Sequence, residues 1–193
     1  MTNLAIFASG KGSNTDAIIR FFRKSNDATV ALIVSNNANA GVVEVANRNG
    51  IPVEVVTKQG FYGSTGLLET LRRYNVSFIA LAGFIWLIPM YILNAFPGKI
   101  VNVHPALLPK HGGKGMFGTK VHEAVLKSKD TETGITVHHV NDRFDEGEII
   151  FQAKCTVDPN DNAGSLEAKV QKLEHLHYPK VIEKLLINET ANI

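Results

Sequence analysis

A short apolar run in this chain ends in Asn102-Val103-His104-Pro105. Side chains alternate faces along a strand, so Asn102 and His104 project from the same face. Pro105 cannot donate to a sheet ladder and closes the strand. An amide and an imidazole therefore stand together at the C-terminal end of a strand, where open α/β sheets place their chemistry. The pair offers N–H donors to a developing oxyanion, and the histidine can also manage a proton. No Ser or Cys nucleophile adjoins them. Direct transfer of a group between two bound substrates fits this pattern better than a covalent enzyme intermediate.

Two further segments carry chemistry-bearing residues. Ser9-Gly-Lys-Gly-Ser-Asn14 follows the first apolar run and opens a helical pattern. Glycines let backbone approach a ligand, and a helix N-terminus presents free N–H groups to a phosphate monoester. The segment lacks the upstream spacing of a P-loop and the third glycine of a dinucleotide fingerprint. Read alone, it is equally a tight turn with Ser13 or Asn14 as helix cap. Asp142-Arg-Phe-Asp-Glu-Gly147 forms a polar turn between two strand-like runs. Asp145 can approach His104 from it, and a carboxylate beside an imidazole raises the imidazole pKa. Read alone, it is better taken as an ordinary acidic turn ended by Gly147. The seven histidines do not make a metal centre. His138 and His139 point to opposite strand faces, and His175 and His177 are about 200° apart on a helix. His111 and His122 lack partners at ligand spacing, so no metal is expected.

The elements that must hold these residues alternate. Strands are expected at Leu4–Ala8, Ala28–Val34, Pro52–Thr57, Ser77–Ala82 and Lys99–Val103. Helices are expected at Asn14–Lys24, from Val42 to Gly50, from Leu67 to Tyr74, and at Ile88–Ala95 with Pro89 in the first turn. Continuous apolar strands separated by helices imply a parallel sheet covered on both faces. Beyond residue 115 the pattern changes. Thr119–Lys127 reads as helix, and Thr133–Val140 with Glu148–Val157 as an antiparallel pair. Ser165–Leu186 reads as a long amphipathic helix, kinked or broken before Pro179.

The 193 residues suit one domain, 1–193, with halves meeting near residue 100. A hydrophobic share of 45% with 20% charged residues is that of a soluble globular chain. A formal net charge of +2 gives no reason to expect a nucleic-acid or membrane partner. Cys155 is the only cysteine and reads as a buried, small apolar residue. The apolar strand at the N-terminus does not have the form of a signal peptide, and no apolar stretch reaches the roughly 20 residues of a membrane span. A cytoplasmic enzyme is expected, acting on small molecules as monomer or homodimer.

Together the segments Ala8–Asn14, Leu81–Phe84, Ile100–Lys110, Gly134–His138, Asp145–Gly147 and Gln171–His175 resemble the glycinamide ribonucleotide formyltransferase family. The resemblance runs across nearly the whole chain. It implies a Rossmann-like, mostly parallel seven-stranded sheet with helices on both faces. It implies formyl transfer from 10-formyltetrahydrofolate, the co-substrate, to the amine of glycinamide ribonucleotide in purine biosynthesis. By the same resemblance Asn102, His104 and Asp145 match the catalytic trio, with Asp145 keeping His104 charged. Gly12, Ser13 and Asn14 match the phosphate-binding positions, and Glu174 a position contacting the nucleotide. Phe84, Ile85 and Leu87, with Asn102 and Asn141, match the folate pocket. Trp86 departs from the family, which often has a basic residue there. The glycine-rich segment 111–118 is longer than in many relatives. It reads either as a mobile flap whose Lys114 reaches an anionic substrate or as a plain surface loop.

Overall fold

In the computed structural model, which describes residues 1–25 and 27–191, the chain runs through alternating elements. These are β1 (Thr2–Phe7), α1 (Ser13–Phe22), β2 (Ala28–Ser35), α2 (Gly41–Asn49), β3 (Val53–Val55), α3 (Lys58–Gly63), α4 (Gly66–Arg73), β4 (Val76–Leu81), α5 (Met90–Ala95) and β5 (Ile100–His104). They are followed by α6 (Thr119–Lys127), β6 (Glu132–His139), β7 (Ile149–Thr156) and α7 (Ala163–Ala191).

Among the described residues the strands form one seven-stranded sheet, ordered β3-β2-β1-β4-β5-β6-β7. Strands β1 to β5 pair in parallel, and β6 and β7 are added antiparallel. This is the mostly parallel, Rossmann-like sheet expected. Strand β1 shows why its sequence is apolar without alternation. Leu4 and Ile6 join the core beneath α1, α2 and α7, and Ala5 and Phe7 join the core beneath α3, α4 and α5. A strand covered on both faces has no side on which to place polar residues.

The chain builds outward from β1 to β3 and returns to place β4 on the other side of β1. The turns leaving β1 and β4 border a cavity at this switch, at the C-terminal strand ends. Tyr178 of α7 holds the long helix to the sheet beside that cavity. Its buried hydroxyl donates to the carbonyls of Leu81 and Val101, at 2.9 and 3.1 Å.

Three expectations need correction, and one helix was not expected. Helix α7 is not broken before Pro179 but continues through it. Proline removes only the bond to the His175 carbonyl, and the buried Tyr178, Val181 and Ile182 hold the helix against the core on either side of it. Residues 58–63 form a short helix that apolar spacing does not signal. Thr57 caps it by accepting the Gly60 N–H at 3.1 Å, and Phe61 is fully buried. Pro89 is the N-cap of α5 rather than part of its first turn. Cys155 is only half-buried, because β7 is an edge strand. Burial still pushes its thiol pKa up, as suits a packing residue.

Candidate active site

The turn after β1 is fixed from several sides. Ser9 donates its N–H to the Gly83 carbonyl at 3.1 Å, and its hydroxyl accepts the Ile85 N–H at 3.2 Å. The turns leaving β1 and β4 are thereby joined. Gly12 has φ +82°, and a Cβ there would lie 2.8 Å from the Val42 Cα, so only glycine fits. Gly12, not Ser13 or Asn14, is the N-cap of α1, and no side chain caps the helix. The two polar side chains turn to α7 instead. Ser13 Oγ accepts from Gln171 at 2.9 Å, and the Asn14 amide donates to Glu174 Oε2 at 2.9 Å. Burial pushes the Glu174 carboxyl up to about 7, reinforced by the nearby Glu167 and opposed by the Asn14 bond.

At the end of β5, Asn102 and His104 share a face, paired with His138 and Thr136 of β6. Asp145 comes from the β6–β7 turn with φ +58°, a left-handed conformation uncommon outside glycine. Its Oδ2 lies 3.5 Å from His104 Nδ1 and accepts the Gly113 N–H at 2.9 Å. Its Oδ1 lies 3.5 Å from Asn102 Nδ2 and 3.6 Å from His138 Nε2. The expected trio is therefore brought together, with His138 as a fourth member that sequence reasoning missed. His138 Nδ1 lies 2.8 Å from the His139 carbonyl, which can only accept, so Nδ1 carries a proton. In the neutral ring Nε2 is then a lone pair, and it accepts from Asn102 Nδ2 at 3.1 Å. No local sequence signal marks it, because it meets Asn102 only through the β5–β6 pairing.

His104 differs from expectation. Burial lowers its pKa, and the opposing pull of Asp145 and of the His111 carbonyl does not restore it. Burial works against ionisation of Asp145, yet its pKa is held below the ordinary value, helped by the Gly113 N–H that donates to Oδ2. The resting pair is a carboxylate beside a neutral imidazole, not the charged imidazole expected. The His104 Nε2–H donates to the His111 carbonyl at 2.8 Å. Nδ1 is then the bare nitrogen facing Asp145, and the pair has room for one proton.

Thr136 holds the chain leaving β5. Its buried hydroxyl donates to the Ala106 carbonyl at 2.7 Å and accepts from the Leu108 N–H and from Gln152, both at 2.9 Å. One donor and two acceptor positions are all used.

A cavity of about 510 Å³ runs from Gly12, Ser13, Asn14 and Glu174 to Asn102, His104 and Asp145, with Phe84 and Ile85 in its wall. Leu87 and Asn141 lie outside that wall. The Leu87 carbonyl accepts from Tyr62, and Asn141 Oδ1 accepts the Arg143 N–H within its own turn. Trp86 belongs to an aromatic cluster, its ring 5.5 to 6.1 Å from those of Phe61, Tyr62 and Phe84. Segment 111–118 is tied over the catalytic pair through His111 and Gly113, and Met116 and Phe117 line the cavity while Lys114 does not. Among the described residues no three His, Cys, Asp or Glu side chains are grouped to hold a metal ion, and no helix is long and apolar enough to cross a membrane.

Comparison with known proteins shows the family to which the chain is similar. The family described as formyl transferase matches residues 2–182. The chain is 42% identical over 192 residues to the chloroplastic phosphoribosylglycinamide formyltransferase of Arabidopsis thaliana, covering 93% of this chain and 63% of that relative. It is 38% identical over 191 residues to the phosphoribosylglycinamide formyltransferase of Bacillus subtilis (strain 168), covering 96% of this chain and 95% of the other. The chain thus spans less than two thirds of the plant relative and nearly all of the bacterial one. Among solved structures, glycinamide ribonucleotide transformylase 1 of Geobacillus kaustophilus superposes with a TM-score of 0.87 at 36% identity, covering 96% of this chain and 99% of that one. Glycinamide ribonucleotide transformylase 1 of Symbiobacterium toebii gives 0.89 at 31% identity, covering 97% and 89%.

Proposed function

The chain belongs to the formyl transferase family, and from that premise we propose that it transfers the formyl group of 10-formyltetrahydrofolate to the amine of glycinamide ribonucleotide. The products are formylglycinamide ribonucleotide and tetrahydrofolate. The observation that carries the reading is one continuous cavity with a glycine turn suited to phosphate at one end and Asn102, His104 and Asp145 at the other. A ribonucleotide with a terminal amine has its phosphate and its nucleophile at opposite ends.

In this reading the amine nitrogen attacks the formyl carbon, and charge develops on the formyl oxygen. Asn102 commits one N–H to His138 and holds the second loosely at 3.5 Å from Asp145, so the second is the one to serve that oxygen. The His104 Nε2–H joins it once the His111 carbonyl moves away. Removal of one such donor typically costs about 2.7–4 kcal/mol of barrier. The amine proton is received between Asp145 and His104 Nδ1, directly or through water, making an imidazolium held by the carboxylate. Collapse of the tetrahedral intermediate breaks the carbon–N10 bond, and the departing N10 takes a proton back. Gly12, Ser13 and Asn14 hold the phosphate, and Glu174 contacts the nucleotide. Phe84, Ile85, Leu87, Asn102 and Asn141 contact the folate, with Leu87 and Asn141 contributing from outside the cavity wall. We take residues 1–193 as one formyltransferase domain, working in the cytoplasm as monomer or homodimer on small molecules, with no nucleic acid, membrane or metal partner.

The test is to follow tetrahydrofolate release from 10-formyltetrahydrofolate with and without glycinamide ribonucleotide. Release that depends on the ribonucleotide is expected. Release without it means that water is the acceptor, and no release in either mixture rejects the reading.

A further inference from the structure

His122 is a buried imidazole in the cavity wall that no protein hydrogen bond explains. It sits on α6 and is 2% exposed, and its Nδ1 is sealed from solvent without a partner. Among the described residues the ring makes no hydrogen bond, yet it lines the cavity. An orphaned N–H is costlier to bury than an orphaned acceptor, so the proton of the neutral ring belongs on Nε2, the nitrogen left to face the cavity. A donor aimed into a cavity calls for an acceptor on the ligand.

The surroundings say which acceptor. Glu167, Gln171 and Glu174 stand at i, i+4 and i+7 on α7 and line the cavity as a row. Gln171 and Glu174 bond to Ser13 and Asn14, and Glu167 lies 3.9 Å from Lys11 of the same glycine turn. Burial makes His122 harder to protonate, Glu167 opposes that effect and His104 adds to it, so both of those groups lie within electrostatic reach. His122 thus shares one cavity with the glycine turn and the α7 row, within electrostatic reach of Glu167.

We propose that His122 is a ligand of the substrate phosphate, donating its Nε2–H to a phosphate oxygen, and that Glu167 limits how tightly this end of the cavity holds the anion. The inference rests on the phosphate-site reading given above. A hydrogen bond to an anionic oxygen is of the strong, charge-assisted kind. Glu167 places a negative charge near that anion and competes with it for Lys11.

Calorimetric titration of the intact protein with inorganic phosphate tests this, beside the Michaelis constants for both substrates. His122→Leu is expected to weaken phosphate binding and raise the ribonucleotide KM by about tenfold, with the folate KM unchanged. His122→Gln keeps a donor and is expected to recover most of the loss, and Glu167→Gln to tighten phosphate binding. In the wild type, the side-chain N–H resonance of His122 is expected to move when phosphate is added, a change a purely structural histidine would not show. Wild-type phosphate affinity in a folded His122→Leu variant, or an unmoved resonance, overturns the inference. Where the Leu variant does not fold, the resonance and the other two variants decide. If the wild type binds no phosphate yet still formylates the ribonucleotide, the inference fails and the activity stands. If it does neither, both fail.

Discussion

The Asn102 amide is held by His138 Nε2 at 3.1 Å, and the His139 carbonyl fixes the tautomer that lets His138 accept this bond. Without His138 the amide can rotate, and its free N–H no longer has a set direction. His138→Leu is therefore expected to lower kcat by about tenfold or more, since a donor aimed at the developing oxyanion loses its orientation. KM values should move much less, and circular dichroism should remain that of the wild type. A folded variant with wild-type kcat would show that Asn102 is oriented by something else.

Glu174 should make stability fall as pH rises through a defined window. Its ordinary value of 4.5 is raised to about 7 in the folded protein. Between those values the unfolded chain has released a proton that the folded chain still holds, so raising the pH favours unfolding. At about 1.36 kcal/mol for each pH unit, the loss by pH 7 is on the order of 3 kcal/mol. Glu174→Gln lacks this titration. Urea unfolding at a series of pH values should show the variant gaining on the wild type from about pH 4.5 to 7. Parallel curves would mean that Glu174 titrates normally.

Thr136→Val should destabilise the protein by about 1–3 kcal/mol, because it leaves the Leu108 N–H without its acceptor in a buried site. Thr136→Ser keeps the hydroxyl and should lose much less. Thermal melts of the two variants separate the hydroxyl from the methyl group, and equal losses would assign the effect to packing.

The sheet was largely legible because burial on both faces leaves its mark on sequence. Strand β1, with Leu4 and Ile6 serving one core and Ala5 and Phe7 the other, could only be apolar throughout. Asn102 and His104 were legible as a pair because strand alternation is local. What depends on another strand was not. His138 reaches Asn102 only through the β5–β6 register, and Thr136 reaches Gln152 only through β6–β7. Helix α3 was hidden by Gly60 and Gly63, since a single buried anchor, Phe61, gives no period to detect. The charge of His104 went the other way from expectation because a carboxylate neighbour can be inferred from sequence, whereas the depth of burial that outweighs it cannot.

The same balance at His104 yields a prediction about Asp145. The carboxylate opposes the effect of burial on the imidazole, so its removal should lower the His104 pKa further below its ordinary 6.5. Asp145→Asn keeps the size of the side chain and its capacity to accept the Gly113 N–H, but it removes the charge that holds the imidazolium. Turnover should fall by about a hundredfold or more, in the range of general acid–base effects. A resting pair that must begin with His104 neutral loses activity as pH falls through the His104 pKa. The acid limb of the kcat profile should therefore move to lower pH in the variant even as the plateau drops. An NMR titration of the His104 ring reads the same change directly. A ring that titrates at higher pH in Asp145→Asn than in the wild type would reverse the assigned sign and remove Asp145 as the partner that steadies its charge.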